Sequence, residues 1–279
     1  MPTSLSEALR SRAIRSSLPK GGTGDIIGIE AIADLAETFS LAGHIIEAEA
    51  LKLNIIPSRY LRNMDSITTD EQIKLLEASI AQVGLGGLGG TLLEAFVRTG
   101  IGRIHAADGD SFEESNLNRQ ALSSPDNLGH PKAHAAIART ESINPSVTID
   151  AWNEFLTPER LSIFLDGQDL AIDALGGLTT RLALQHAAAE ANIPLVTGAL
   201  AGWTGYVSVV LPGHSGPADI MGLDNAAEEK LGCPAPAVMI MASLMAAEAV
   251  KILSGTPSNL NDSMLIIDLK TLSFEKISL

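Results

Sequence analysis

The residues best suited to chemistry begin with the run Gly84-Leu85-Gly86-Gly87-Leu88-Gly89-Gly90, which joins an apolar stretch, ASIAQV, to a helical pattern, TLLEAFVRTG. A glycine turn between a strand and a helix presents unpaired N–H groups at the helix N-terminus to an approaching anion. In such a turn Gly84 permits the reversal, Gly86 lets the backbone approach a phosphate, and Gly89 lets helix and strand pack closely, with Gly87 part of the same nucleotide-binding loop. Asp108 follows Gly89 by 19 residues at the end of a second apolar stretch, where a carboxylate accepts hydrogen bonds from ribose hydroxyls. Turn and acid together suit NAD as readily as ATP. Two basic residues further on, Arg119 and Lys132, each read singly as the cap of a surface loop, but as a pair they separate the two cofactors. Hydride transfer has no need of them, whereas cleavage between α and β phosphates needs positive charge beside the nascent adenylate and the departing pyrophosphate. Arg supplies a planar fork for phosphate oxygens and Lys a compact point charge.

These groups need a scaffold that brings strand ends together. Strand and helix signals alternate through the centre of the chain: ASIAQVG, TLLEAFVRTG, GRIHAAD, PKAHAAIARTESI, VTIDAW, DLAIDAL, LTTRLALQHAAAEAN and IPLVTGA, followed by a further strand, TGYVSVVLPG. Such alternation predicts an α/β fold, a Rossmann-like and mainly parallel sheet with helices on both faces. A long Met-bearing helix, PAVMIMASLMAAEAVKILSG, reads as core, and MLIIDLKTLSFEKISL as a terminal antiparallel hairpin turning near Lys270-Thr271. Before this domain, residues 1 to about 24 are rich in Ser, Arg, Gly and Pro, and SSLPKGGTGD reads as an unstructured arm or turn. From Ile26 to Leu53 the spacing predicts two short helices, and a helix start is expected at Thr69-Asp70-Glu71-Gln72. The predicted organisation is an N-terminal arm and helical prefix over 1–56 and a nucleotide-binding domain over 57–279.

Composition narrows the partners. The net charge of −14 excludes the clustered basic surface that nucleic acid requires. No uninterrupted apolar stretch reaches membrane-spanning length and the first residues lack a signal-peptide core, so no membrane partner and a cytoplasmic location are expected. The single cysteine, Cys233, offers neither an internal disulfide nor a four-cysteine zinc site, and reads as a packing residue. His105 and His134 have no second ligand at metal spacing.

Four features occur in one order: VGLGGLGG, the strand ending in Asp108-Gly109-Asp110, the phrase SNLNRQ, and HPKAHAA. With RYLRN before the first strand and SLMAAEAVKIL on the long helix, they make residues 57–279 resemble the ThiF/MoeB/HesA family, adenylating enzymes that activate the C-terminus of small ubiquitin-like sulfur carriers. The resemblance implies that ATP is the cofactor, that Asn116, Arg119, Gln120 and Lys132 contact its phosphates, that Asp108 meets the ribose, and that Asp110 belongs to the same site. It also implies a homodimer in which Arg62 reaches into the partner's site, and a carrier-protein partner with a Gly-Gly tail. Family members place a D-x-x-D-N segment after the middle strand, whose second acid helps to manage Mg2+. Here the segment is Asp173-Ala174-Leu175-Gly176-Gly177, so Asp173 matches the first acid and glycine stands at the second. Asp173 is then the one candidate Mg2+ ligand, and it reads equally as a strand-end residue bonding nearby backbone amides. Three readings follow: an adenylyltransferase, a nucleotide-binding module that no longer catalyses because of Gly176, and, from the glycine turn and Asp108 alone, an NAD-dependent oxidoreductase.

Overall fold

The computed structural model describes residues 4–63, 65–221 and 230–279. An eight-stranded sheet forms its centre, in the order β11-β10-β9-β8-β7-β4-β5-β6. Strands β4 (Ser79–Val83), β5 (Arg103–Ala107), β6 (Thr148–Trp152), β7 (Leu170–Asp173) and β8 (Leu195–Ala201) run parallel. Antiparallel β9 (Thr204–Val210), β10 (Ser263–Asp268) and β11 (Ser273–Ser278) extend the β8 side. The parallel portion, the helical cover and the closing hairpin are as the sequence predicts. The antiparallel portion is larger than a terminal hairpin, because β9 turns straight back on β8.

Alternation along the strands explains the two-sided cover. Ile80 of β4 enters the core beneath α5 (Gly87–Thr99), α6 (Lys132–Ile143) and α10 (Ala235–Ser254). Its neighbours Ala81 and Val83 enter the core beneath α7 (Pro158–Leu165) and α8 (Leu178–Glu190). A strand buried on both faces reads as a near-continuous apolar run, which is why these strands are legible. By length and mean hydropathy α10 is apolar enough to cross a membrane, although Glu248 and Lys251 interrupt its apolar run as the sequence shows. Its Met241, Ala242, Met245 and Ala249 are fully buried against α5, β8 and β9, which makes it a core helix.

In the N-terminal region the turn expected at SSLPKGGTGD is present, but the residues around it are structured and not an arm. Residues 1–3 lie outside the described residues, but α1 (Leu5–Arg12), β1 (Ile14–Ser17) and β2 (Thr23–Ile27) follow. The glycines of SSLPKGGTGD turn a hairpin, with Gly21 and Gly22 at φ +93° and +76°. The predicted helices are α2 (Ile29–Phe39) and α3 (Gly43–Lys52), and β3 (Ile55–Pro57) returns to pair in parallel with β2. The prefix is thus a small α/β unit around Leu9, Ile27, Ile32, Leu35 and Ile46. Strands β1 and β2 escape the sequence pattern because β1 is largely exposed and β2 mostly half-buried, so no apolar alternation marks them. A short α9 (Pro217–Ile220) precedes α10.

Helix α4 (Thr69–Glu77) begins at the expected Thr69, and the preceding Thr68 is its cap, accepting from the Glu71 N–H while Glu71 reaches back to Thr68 N at 2.7 Å. Such reciprocal capping satisfies two N–H groups that the helix leaves unpaired. Thr68→Ala should lower stability by about 1 kcal/mol, seen as a lower urea midpoint with an unchanged slope.

Candidate functional site

The chain runs from β4 to β5 and β6 on one side, then crosses to β7 on the other. This opens a crevice at the carboxyl ends of β4, β5 and β7, the position where open parallel sheets bind ligands. A cleft of about 400 Å³ lies there, within the range of small-molecule sites. Gly84, Gly86 and Gly87 form its floor. Gly84 adopts φ +104°, and a side chain on it would run into the Ala174 carbonyl. A Cβ on Gly89 would overlap the Gly84 carbonyl, so Gly89 serves the close strand-to-helix approach and does not line the cleft. Buried Gln82 locks the turn by donating through Nε2 to Gly84 O at 3.0 Å and Gly89 O at 2.9 Å. Sequence reasoning missed this role, since a glutamine inside an apolar strand signals only that it must find partners.

The acidic and basic groups converge on one wall. Asp108 accepts from Leu85 N at 2.7 Å and from Asp110 N at 2.9 Å, which ties the end of β5 to the glycine turn. An isolated bridge between Ser111 and Pro131 then draws the start of α6 against the Asp108–Asp110 loop. It places Lys132, buried at 5% exposure, with Nζ 3.0 Å from Asp110 Oδ2. Arg119 lines the same cleft, its Nη1 donating to Ser115 O and Asn118 Oδ1. Gln120 lines it as well, and its Oε1 is buried with no hydrogen-bond partner among the described residues. The cleft can therefore hold an anion between the N–H groups opening α5 and two cations, with a carboxylate at its rim.

Other expected residues lie elsewhere. Asn116 forms the turn ahead of Arg119, accepting from Glu113 N at 3.1 Å, and is not part of the cleft wall. Arg62 is exposed in the turn after β3 and outside its own chain's cleft. Asp173 requires correction. It is 1% exposed, and its Oδ2 accepts from Arg181 Nη1 at 3.0 Å and Thr197 Oγ1 at 2.7 Å, while Oδ1 accepts from Leu175 N at 3.1 Å. A carboxylate so committed does not fit the expected Mg2+ ligand, and no step is assigned to an ion there. Arg181 also donates to the carbonyls of Gly198 and Leu175, so it ties the end of β7 to the middle of β8. Among the described residues no cluster of three His, Cys, Asp or Glu side chains is placed to hold a metal ion.

Two further residues at the cleft were not anticipated there. Phe155, 72% exposed, lies over Gly109 at the rim beside Asp108, an aromatic face open to a flat ligand. Nothing in its sequence context marks it. Cys233 packs at the edge of the main core, as expected, but also forms part of the cleft wall with Val238 of α10.

Residues 60–279 match the ThiF family. The chain is 35% identical to a sulfur carrier protein adenylyltransferase of Thermus thermophilus, over 79% of this chain and 86% of that one. It is 32% identical to the sulfur carrier protein ThiS adenylyltransferase of Escherichia coli, over 71% of this chain and 81% of that one. The SAMP-activating enzyme E1 of Haloferax volcanii is 28% identical over 78% and 84% of the two chains. Among solved structures, E. coli MccB with ATP superposes with a TM-score of 0.69 at 20% identity, covering 88% of this chain and 82% of that one. PaaA gives 0.67 at 19% identity, covering 96% and 98%. At these identities the likeness is one of fold.

The Asp173–Arg181 pair has a direct consequence. Arg181→Leu would leave the buried Asp173 carboxylate without its cation and should lower stability by about 3–5 kcal/mol in chemical denaturation.

Proposed function

This chain belongs to the ThiF family, and we propose that it is an ATP-dependent adenylyltransferase acting on the C-terminal glycine of a small ubiquitin-like sulfur carrier, in support of sulfur transfer for cofactor biosynthesis. The observation that carries this reading is the meeting, in one cleft, of the α5 N-terminus, the Asp108 carboxylate and the cations Arg119 and Lys132. Relatives named as adenylyltransferases of sulfur carriers supply the substrate class.

In this reading the triphosphate lies across the Gly84–Gly87 turn and Asp108 accepts hydrogen bonds from the ribose. The carrier's terminal carboxylate oxygen attacks the α phosphorus as the bond to the bridging α–β oxygen breaks. The products are an acyl-adenylate and pyrophosphate. Arg119 and Lys132 counter the charge that grows on the α phosphoryl oxygens and on the leaving group. Lys132 is held ready by Asp110 and exchanges that carboxylate for phosphate oxygens, while the buried Gln120 amide meets the nucleotide from the α5 side. The enzyme works as a homodimer in which Arg62 of each copy reaches the phosphates bound by the other. The missing second acid at Gly176 leaves open space: nothing lies within 4 Å of a Cβ built there.

Carrier-dependent ATP–pyrophosphate exchange tests the reading. Exchange is expected with a ThiS- or MoaD-like protein ending in Gly-Gly, and Arg119→Ala or Lys132→Ala should reduce it by about two orders of magnitude. Exchange absent with every such carrier while ATP still binds would leave a nucleotide-binding module in place of an enzyme. Gly176→Asp, which the open space accommodates, should raise the exchange rate if that glycine limits catalysis.

A further inference from the structure

The residues before Tyr60 lie outside the family match, yet they bury an ionisable group against it. Glu47 of α3 is 0% exposed. Its Oε1 faces Arg59 Nε at 3.1 Å and accepts from Ser146 Oγ at 2.9 Å, and its Oε2 accepts from Tyr60 Oη at 2.9 Å. Tyr60 Oη in turn accepts from Asn144 Nδ2, which also donates to Val97 O. Burial pushes the Glu47 carboxyl up, and Arg59, Ser146 and Tyr60 draw it back. As simple glue this is a poor choice, because well-packed apolar residues serve at least as well as a buried ion pair. What the carboxylate adds is direction: it fixes two successive side chains of one short turn. Ser58–Tyr60 form that turn, and it continues through Leu61 N to Ser58 O and Asn63 N to Tyr60 O, with Arg62 exposed at its outer side.

We propose that Glu47 is a positioning residue: by clamping Arg59 and Tyr60 it holds the 58–63 turn so that Arg62 is presented to the nucleotide cleft of a second copy. This rests on the reading that Arg62 acts in trans. The prefix is then a working part of the adenylation site, and its α3 sets the reach of a cation belonging to the partner's reaction.

Subunit mixing tests it. Glu47→Gln keeps the volume and an acceptor for Tyr60 while removing the charge that holds Arg59. Alone it should lower kcat for carrier-dependent exchange on the order of tenfold to a hundredfold, leave the KM for ATP unchanged, and add nothing to Arg62→Ala in the double variant. Mixed with Arg119→Ala, whose cleft is broken but whose turn is intact, it should regain about one quarter of wild-type activity, because half the dimers are mixed and each carries one complete site. Arg62→Ala mixed with Arg119→Ala is the control. If the control gains nothing, Arg62 does not act in trans and the proposal falls with its premise. If the control recovers and the Glu47→Gln mixture does not, Glu47 is structural only and the proposal alone falls. Hydrogen exchange reads the same point without activity: Glu47→Gln should speed exchange of the Leu61 and Asn63 amides with α2 unchanged, and unaltered protection there would overturn the proposal.

Discussion

The close passage of β4 against the start of α5 is the constraint on which the site depends. At Gly84 and Gly89 main chain meets main chain with no room for a Cβ, and Gln82 bonds to both carbonyls from beneath. That contact aims the first N–H groups of α5 into the crevice and leaves them unpaired by the helix itself. It also sets where everything else must be. Asp108 reaches the turn only because β5 lies beside β4 in register, with Val83 opposite Ala107. Lys132 reaches it only because the Asp108–Asp110 loop is stitched to the N-terminus of α6. A shift of one strand by two residues would separate the cations from the helix end.

Charge is organised on a smaller scale than the whole molecule. The chain carries a net charge of −14, so an ATP polyanion approaches against the overall field, and local groups must overcome it. They do so by being sheltered: Lys132 is nearly buried, and charges act more strongly where water is displaced. The same economy governs Asp173. A carboxylate at the end of a central strand would face the phosphates as a repulsive charge, and here Arg181 and Thr197 bind it within the fold. The end of β7 gains a cross-link to the middle of β8, and the cleft loses an acid.

What was legible in the sequence was local or doubly buried. The glycine turn carries its own steric reason, Asp108 follows at the length of one helix and one strand, and β4, β5, β7 and β8 announce themselves as apolar runs. The misreadings arose where the deciding partner is far along the chain. Asp173 reads evenly as a metal ligand and as a strand-end acid, and the choice turns on Thr197, 24 residues later, which holds the same oxygen that Arg181 holds. Asn116 belongs to a phosphate-contacting phrase by resemblance, but its own backbone turn uses its side chain. In the prefix β1 is mostly exposed and β2 mostly half-buried, so no periodicity distinguishes them from a loop. Phe155 gave no signal because an exposed aromatic gains meaning only from the cleft beside it.

The prefix illustrates why a division by sequence resemblance need not be a division in physics. At the seam with α3, small residues allow contact that a side chain would prevent: a Cβ on Gly43 would meet the Ser146 backbone, and one on Gly102 would strike the Leu76 carbonyl that His44 Nδ1 approaches at 2.8 Å. Burial lowers the pKa of the His44 imidazole against the raising effect of its Leu76 carbonyl contact. Together with the Glu47 network these contacts form a polar core inside an apolar one, where each group is satisfied only when both sides are in place. Such a seam has little tolerance for sliding, because a small displacement strands a buried carboxylate and several donors at once. The turn that leaves this seam therefore starts from a fixed origin, and the direction of Arg62 is inherited from α3 as much as from the domain that follows it.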